Sequence, residues 1–246
     1  MTEKILALGF FDGVHLGHAA LFRCAVDMAQ SLGLRSAAVS FLTHPSALVT
    51  GQSVPLLSSP AEREALIARL GIDETVFLPF DHAMRETPWD SFLSQLTERE
   101  HVRGYVVGYD FRFGKGGEGS GELLKSWCEE HGLLSKIVPP VTLSGVTVSS
   151  THVRSLLEAG NVEEAVRFLG HPYLLSGIAE NGLLRWGNAR LPLPDGRYCA
   201  DITLPDGSLL PDEIVECRDG AVLLSPALVT GALSVDFTRR AHMEES

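Results

Sequence analysis

The sequence predicts an α/β protein: a doubly wound parallel sheet followed by a smaller C-terminal β domain. Short apolar runs alternate with amphipathic stretches through the first two-thirds of the chain, as expected of parallel strands joined by crossover helices. The run Ile5-Leu6-Ala7-Leu8 leads through Gly9-Phe10-Phe11-Asp12-Gly13 into a helical pattern, which makes a strand–turn–helix unit. Beyond residue 173 the texture turns β-like, with Leu-Pro-Asp-Gly at 193–196 and again at 204–207 between apolar runs.

Taken in order, residues 5–10 read as the first strand and 19–32 as the first helix, with Gly33 where a helix-ending glycine belongs. A second strand covers 36–41. A helix over 60–70 is opened by Ser58-Ser59-Pro60 and closed by Gly71. Strands over 75–78, 104–108 and 136–138 then alternate with helices over 89–97 and 122–131. Ser149-Ser150-Thr151 offers several N-caps for a short helix over 152–159, ended by Gly160, and 161–169 reads as another helix. The two domains are drawn at 1–172 and 173–246. Ligands of such sheets bind at the carboxyl ends of the strands, where the loops 9–18, 41–45 and 108–114 can converge.

Composition narrows the function classes. With 246 residues, the chain can bury a substantial core as one large or two modest domains. Twenty basic against 31 acidic residues give a net charge of −11, which argues against broad nucleic-acid binding. A small anionic ligand then needs a local basic or dipolar pocket. Cys24, Cys128, Cys199 and Cys217 are widely spaced, with no Cys-x-x-Cys pair, and read as reduced thiols. Without a signal-peptide pattern or a stretch approaching a membrane span, the expectation is a soluble, cytoplasmic protein.

The most informative stretch is residues 9–18. His15 and His18, three apart at a helix start, share one face. They stand where unbonded backbone N–H groups and the helix dipole already favour an anion. Gly17 between them lets a base or phosphate approach the backbone. A strand, a Gly-bearing turn and His-x-Gly-His together suit the holding of nucleotide phosphates and the stabilisation of charge during their transfer.

This stretch resembles the nucleotidylyltransferase signature of the bacterial bifunctional riboflavin kinase/FMN adenylyltransferases, also called prokaryotic FAD synthetases. Four further segments resemble that family in the same order. Phe41-Leu42-Thr43-His44-Pro45 is similar to its Phe-x-Pro-His-Pro loop. Gly108-Tyr109-Asp110-Phe111-Arg112-Phe113-Gly114 is similar to its Gly-x-Asp-Phe-x-Phe-Gly. Ser149-Ser150-Thr151-His152-Val153-Arg154 resembles Ser-Ser-Thr-x-Ile-Arg, and Leu169-Gly170-His171-Pro172-Tyr173 resembles the entry to its second domain.

The resemblance implies an α/β domain of the His-x-Gly-His nucleotidylyltransferase type with a β-barrel-like domain behind it. It implies transfer of AMP from ATP to FMN, giving FAD and pyrophosphate, with Mg²⁺ on the triphosphate. On that basis His15, His18 and Arg154 are the catalytic candidates: the histidines as donors to the α- and β-phosphates, the arginine as a fork on the leaving pyrophosphate. Gly9, Phe10, Phe11, Asp12, Gly13, Gly17, Ser150 and Thr151 are the ATP-side candidates. Phe41, His44, Pro45, Gly108, Asp110, Phe111 and Phe113 are the FMN-side candidates, which would give an isoalloxazine an apolar slot with a few polar contacts. Asp12 is open between a backbone-turn role and a metal contact, and no protein metal ligand is assigned.

Duller readings stand beside these. Histidines at i, i+3 are half of a zinc site, though no third ligand sits at a recognisable spacing. Phe111 and Phe113 alternate as strand residues do, so one can be plain core. Residues 114–119 spell G-x-G-x-x-G, but the acidic partner of a dinucleotide site is missing, and a flexible lid fits better.

Several positions depart from the family. Thr43, Gly117, His152 and His171 replace proline or basic residues. The kinase motif Gly-x-Pro-Thr-x-Asn has no counterpart in the stretch 182–192, so the second domain is expected to lack riboflavin kinase activity. Two other readings are carried: a His-x-Gly-His nucleotidylyltransferase with a different phosphate acceptor, and a non-catalytic regulator that binds flavin or nucleotide.

Overall fold

The computed structural model describes residues 3–44, 54–185, 189–224 and 230–241. The chain divides into two compact units, Met1–Val54 with Arg63–Thr147, and Pro55–Glu62 with Val148–Ser246.

The first unit opens with β1 (Lys4–Leu8), α1 (Leu16–Leu32), β2 (Arg35–Phe41), α2 (Pro60–Arg69, whose first three residues group with the second unit) and β3 (Glu74–Leu78). It continues through α3 (His82–Glu86), α4 (Trp89–Glu100), β4 (Val102–Gly108), β5 (Arg112–Phe113), β6 (Gly119–Ser120), α5 (Gly121–Glu130) and β7 (Leu134–Val138). A small hairpin of β8 (Thr142–Leu143) and β9 (Val146–Thr147) closes it.

Five strands form one sheet in the order β3-β2-β1-β4-β7, every pair parallel. Strand side chains alternate between two cores. Leu6, Leu8, Val39, Tyr105 and Val107 face one cluster with Phe92, Leu96, Leu124 and Trp127 of α4 and α5. Ile5, Ala7, Ala38 and Val106 face the other, with Phe22, Ala25, Leu66 and Ile67 of α1 and α2. Burial on both faces is why β1 is apolar without alternation in its sequence. The chain winds outward from β1 through β2 to β3, then returns to β4 on the other side. The switch point between β1 and β4 is where such sheets open a crevice beyond the strand ends.

The second unit contains α6 (Ser150–Glu158), α7 (Val162–Leu169), β10 (Tyr173–Glu180), β11 (Leu183–Arg185), β12 (Gly196–Thr203), β13 (Leu209–Arg218), β14 (Ala221–Leu223) and β15 (Gly231–Arg240). Its strands close into an antiparallel barrel in the order β10-β11-β14-β13-β12-β15. Closure leaves no unpaired edge. Inward residues alternate along the strands, as at Tyr198, Ala200 and Ile202, and at Leu233, Val235 and Phe237.

Several expectations shift. β1 stops at Leu8 rather than running to residue 10, because Phe11, Gly13 and Val14 take left-handed φ values of 59°, 74° and 43°. α1 begins at Leu16, three residues before the apolar pattern starts at 19, because His15 caps it. α3 is too short to show a period and is held by the Asp81 carboxylate, which accepts from the Met84 N–H at 2.8 Å. The second Leu-Pro-Asp-Gly is a hairpin turn joining β12 to β13. The first is not, since β12 pairs with β13 and β15 rather than with the strand before it.

Candidate active site

Loops after β1, β2 and β4 carry the sequence-predicted site residues of the first unit. Leu8 registers with Val39 of β2 and Val107 of β4, so the three loops leave the sheet at one level. The Gly9 N–H continues the ladder to Val39 O at 3.2 Å before the chain turns. A Cβ on Gly9 would lie 2.6 Å from the Phe11 ring, so only glycine lets Phe11 fold back there. Phe11 is buried, 4.6 Å from Phe22 and 5.3 Å edge-on from His18. Val14 at φ 43° is strained for a β-branched residue, and such backbone clusters at functional sites. Asp12 is buried at 2% exposure.

His15 is the N-cap of α1: its Nδ1 accepts from the His18 N–H at 3.3 Å. A ring that accepts at Nδ1 carries its proton on Nε2 when neutral, so Nε2 is the donor. The His15 and His18 rings stack, with centroids 3.6 Å apart and planes within 15°. Nδ1 of His18 is buried without a hydrogen-bond partner among the described residues. Burial, then the neighbouring His15, then the charge of Arg63 hold the His18 pKa well below its usual value, so the ring is neutral at neutral pH. By helix geometry, the amides of Leu16 and Gly17 have no carbonyl inside α1 to bond, and they face the N-terminal end with the dipole.

On the β2 loop, Phe41 turns its ring into the core, edge-on to Phe80 at 5.7 Å, while His44 stands edge-on to Phe10 at 4.6 Å. Thr43 is exposed, and Pro45 lies outside the described residues. After β4, Asp110 is exposed beside Gly108, where a Cβ would meet its Oδ1 at 3.3 Å. Phe111 stacks on Phe113 at 5.5 Å; Phe113 is core, and Phe111 and Phe10 pack half-buried against the same cluster. The structure thus brings the β1 and β2 loops into contact through Phe10 and His44.

The glycine-rich turn is anchored rather than loose. The Lys115 N–H donates to Thr87 O at 2.8 Å, and its Nζ lies 2.8 Å from Glu86. A Cβ on Gly114 would fall 2.5 Å from the Trp89 Cα. The flexible lid expected there is instead a turn fastened to α3 and α4.

Ser150, Thr151 and Arg154 lie in the second unit, on α6. Ser149 is the cap, its Oγ accepting from the His152 N–H at 3.2 Å, which leaves Ser150 and Thr151 in the first turn. Arg154 Nε donates to Pro55 O at 3.0 Å. His152 stands edge-on to Phe168 at 4.6 Å, and His171 Nδ1 lies 2.7 Å from Pro172 O. In the stretch 182–192, Trp186, Gly187 and Asn188 lie outside the described residues. Just beyond them the Arg190 guanidinium is buried against Glu62, 2.9 Å away, and also donates to Leu56 O and Leu174 O.

Two residues escaped the sequence reading. Arg63 of α2 is 0% exposed, and its Nη1 donates to Phe10 O at 3.0 Å, Ser40 Oγ at 2.8 Å and Phe41 O at 2.9 Å. Ser40 Oγ in turn donates to Phe10 O at 2.7 Å. An arginine on an amphipathic helix looks like a surface charge in sequence, and nothing local marks it otherwise. All four cysteines are free, and burial pushes the Cys128 and Cys217 thiols up to about 12, so neither is a nucleophile.

A 3-2-1-4-5 parallel sheet with a His-x-Gly-His helix start at its first strand end defines the α/β nucleotidylyltransferase class. The chain belongs to the FAD synthetase family, whose sequence model matches residues 1–152. It is 32% identical over 205 residues to a bifunctional riboflavin kinase/FMN adenylyltransferase of Listeria monocytogenes, covering 82% of this chain and 65% of that protein. The chain therefore spans about two-thirds of that relative's length. An FAD synthetase of the same organism is 29% identical over 180 residues, covering 72% of this chain and 73% of that one. A crystal structure of a macrolide-efflux protein from Streptococcus pneumoniae superposes with a TM-score of 0.85 at 24% identity, covering 100% of this chain and 88% of that one, a likeness of fold alone.

Proposed function

We propose that this protein transfers AMP from ATP to FMN, forming FAD and pyrophosphate. The observation that carries the reading is the stacked His15–His18 pair at the start of α1, on a strained loop at the switch point of the sheet. In the transfer, an oxygen of the FMN phosphate bonds the α-phosphorus of ATP as the bond from that phosphorus to the bridging oxygen breaks. Pyrophosphate leaves with the electron pair. Both reactants are anions, so the protein's work is to align them and to offset charge that builds toward the leaving group.

His15 donates from Nε2 while its Nδ1 stays on the cap. His18 is neutral in the free protein, and phosphate oxygens beside it would shift its pKa upward. The Leu16 and Gly17 amides add two donors, with Gly17 leaving room for the phosphate. By the resemblance of their motif, Arg154 is assigned to the leaving pyrophosphate, with Ser150 and Thr151 on the same helix as hydroxyl donors. Phe111, Asp110 and His44 border the flavin side, while Phe41 and Phe113 support it from the core.

Among the described residues no three His, Cys, Asp or Glu side chains gather to hold a metal. We assign Mg²⁺ to the triphosphate and its waters, with Asp12 the acid of the β1 loop. When bound, Mg²⁺ offsets phosphate charge. We assign the transfer to residues 1–172. Residues 173–246, without a Pro-Thr-x-Asn loop, form a barrel that does not phosphorylate riboflavin.

The test is incubation with Mg-ATP and FMN, scored for FAD and pyrophosphate in equal amounts. FMN or ATP binding without turnover would instead mark a regulator. Turnover only with another phosphate acceptor would mark a different nucleotidylyltransferase. No helix of the described residues is long and apolar enough to cross a membrane.

A further inference from the structure

Among the described residues Arg63 is the largest fully buried side chain, and it is a cation. The three acceptors on its Nη1 are neutral oxygens, and they belong to two different loops. Phe10 O lies on the β1 loop that carries the histidines, while Ser40 Oγ and Phe41 O lie at the end of β2, where the flavin-side loop begins. The Ser40 hydroxyl closes a triangle by donating to Phe10 O at 2.7 Å. The guanidinium carbon also sits 4.3 Å from the centroid of the Phe10 ring, whose other neighbour is His44 at 4.6 Å. Burying a guanidinium is a costly way to fill space, and a leucine or methionine would pack there at less expense. What an apolar side chain could not supply is a donor nitrogen that bonds both strand ends at once.

We propose that Arg63, seconded by Ser40, is a positioning residue for adenylyl transfer. It locks the phosphate-binding loop to the flavin-side loop, so that the two substrates meet at the correct separation. The inference rests on the transfer proposed above. It says that the distance between the two anions is set by a contact that touches neither of them. An error of about 1 Å in such an alignment can cost roughly 100-fold in rate.

The signature follows from where Arg63 sits. Each substrate has its own loop, and each loop keeps its own residues when Arg63 is replaced. Binding of either substrate alone should therefore survive, and the reaction between them should not. In Arg63→Gln the expected result is a fall of about 100-fold in kcat, with the dissociation constants of ATP and of FMN, measured separately, changed by less than about 3-fold. Arg63→Lys keeps the charge and a multiply donating nitrogen, but its shorter side chain cannot bring that nitrogen to both strand ends, so it should recover only part of the rate. A purely structural role would instead lower the melting temperature and the active fraction, leaving kcat per folded molecule unchanged and giving Lys close to full rescue.

Should either Arg63 variant fail to fold, Ser40→Ala carries the test, since it removes one acceptor without uncovering the guanidinium. It should lower kcat about 10-fold with both dissociation constants intact. A wild-type protein that makes no FAD sinks the adenylyl-transfer reading, and this inference with it. A wild-type protein that makes FAD, with Arg63→Gln or Ser40→Ala turning over within 2-fold of it, overturns the positioning role alone.

Discussion

His15 and His18 stack face to face at 3.6 Å, the first capping the helix on which the second sits. Two imidazoles that close cannot both carry a charge cheaply, and His18 has the weaker claim to one. Its pKa is lowered by burial first, then by His15, then by Arg63. His18 should therefore titrate well below 6.5 in the free protein, read by NMR of the imidazole. Addition of an ATP analogue should move it upward, because phosphate oxygens favour the charged ring. For stability the sign is fixed. The unfolded chain binds this proton near pH 6.5 and the folded chain only at lower pH, so the unfolded state holds more protons between those values. His18 thus costs no stability above pH 6.5, and the protein weakens as pH falls from there toward the folded pKa. A His18→Asn variant should flatten that part of the stability–pH curve.

Removing either ring should strike at turnover. His15→Ala and His18→Ala are each expected to lower kcat about 10²- to 10³-fold, the usual loss for a donor aimed at developing charge. His15→Ala carries a second effect, since losing the N-cap of α1 costs about 1 kcal/mol of stability. His15→Asn keeps a capping side chain, so it should restore the melting temperature without restoring the rate. FAD formation per folded molecule, measured beside thermal unfolding, separates the two.

Much of this arrangement was written in the chain. The β–α alternation placed the five sheet strands, because each strand is buried on both faces and each helix on one, and those two patterns differ in sequence. The histidine pair was legible because a glycine-bearing turn between a strand and a helix is a local signal. What stayed hidden is long-range. Arg63 looks like any helix-surface arginine until the strand ends that receive it, 22 and 53 residues upstream, are in place. The left-handed Val14 could not be foreseen either, since nothing in a valine invites that conformation. Phe41 resembles a flavin-side position of its motif, and the end of a doubly covered strand sends its ring into the core, which the motif alone does not reveal.

The barrel is expected to lack riboflavin kinase activity. Where its family carries Pro-Thr-x-Asn, this chain reads Arg185-Trp186-Gly187-Asn188-Ala189-Arg190, and Arg190 is spent on structure. Riboflavin and Mg-ATP should yield no FMN over the uncatalysed background, scored by chromatography. Appearance of FMN at a rate proportional to protein would refute this.

Arg190 gives the barrel unit a buried ionic clasp. Its Nη2 lies 2.9 Å from Glu62, whose carboxylate also accepts from Ser59 N, Ser176 N and Ser176 Oγ at 2.7 Å each. Ser59 and Glu62 form a reciprocal capping box at the start of α2. Deleting one partner leaves the other charge buried and uncompensated. Arg190→Met and Glu62→Ala should therefore each destabilise the protein by about 3–5 kcal/mol. The double variant should cost clearly less than the sum, because no orphaned charge remains. Denaturant unfolding of the four proteins closes the cycle.

The glycine-rich turn offers a controlled pair of substitutions. Gly114 and Gly116 both lie at positive φ, 72° and 64°. Gly116 with ψ 8° is left-handed helical, where alanine costs about 1 kcal/mol. Gly114 with ψ −179° lies in a region that essentially only glycine adopts and is the more strained for alanine. They differ also in what surrounds the new methyl group. At Gly116 there is nothing within 4 Å, whereas at Gly114 the backbone of Trp89 lies 2.5 Å away and cannot swing aside as a side-chain tip could. Relieving that overlap means displacing the start of α4, two residues beyond the end of α3 where Glu86 and Thr87 tether Lys115. Gly116→Ala should therefore lower stability by about 1 kcal/mol. Gly114→Ala should lose a further ~1–3 kcal/mol, through its steeper backbone strain and through overpacking. Hydrogen exchange at the Lys115 amide discriminates further: it should quicken strongly in Gly114→Ala and little in Gly116→Ala. Equal exchange in the two variants would mean that the turn is not fastened to α4 in solution.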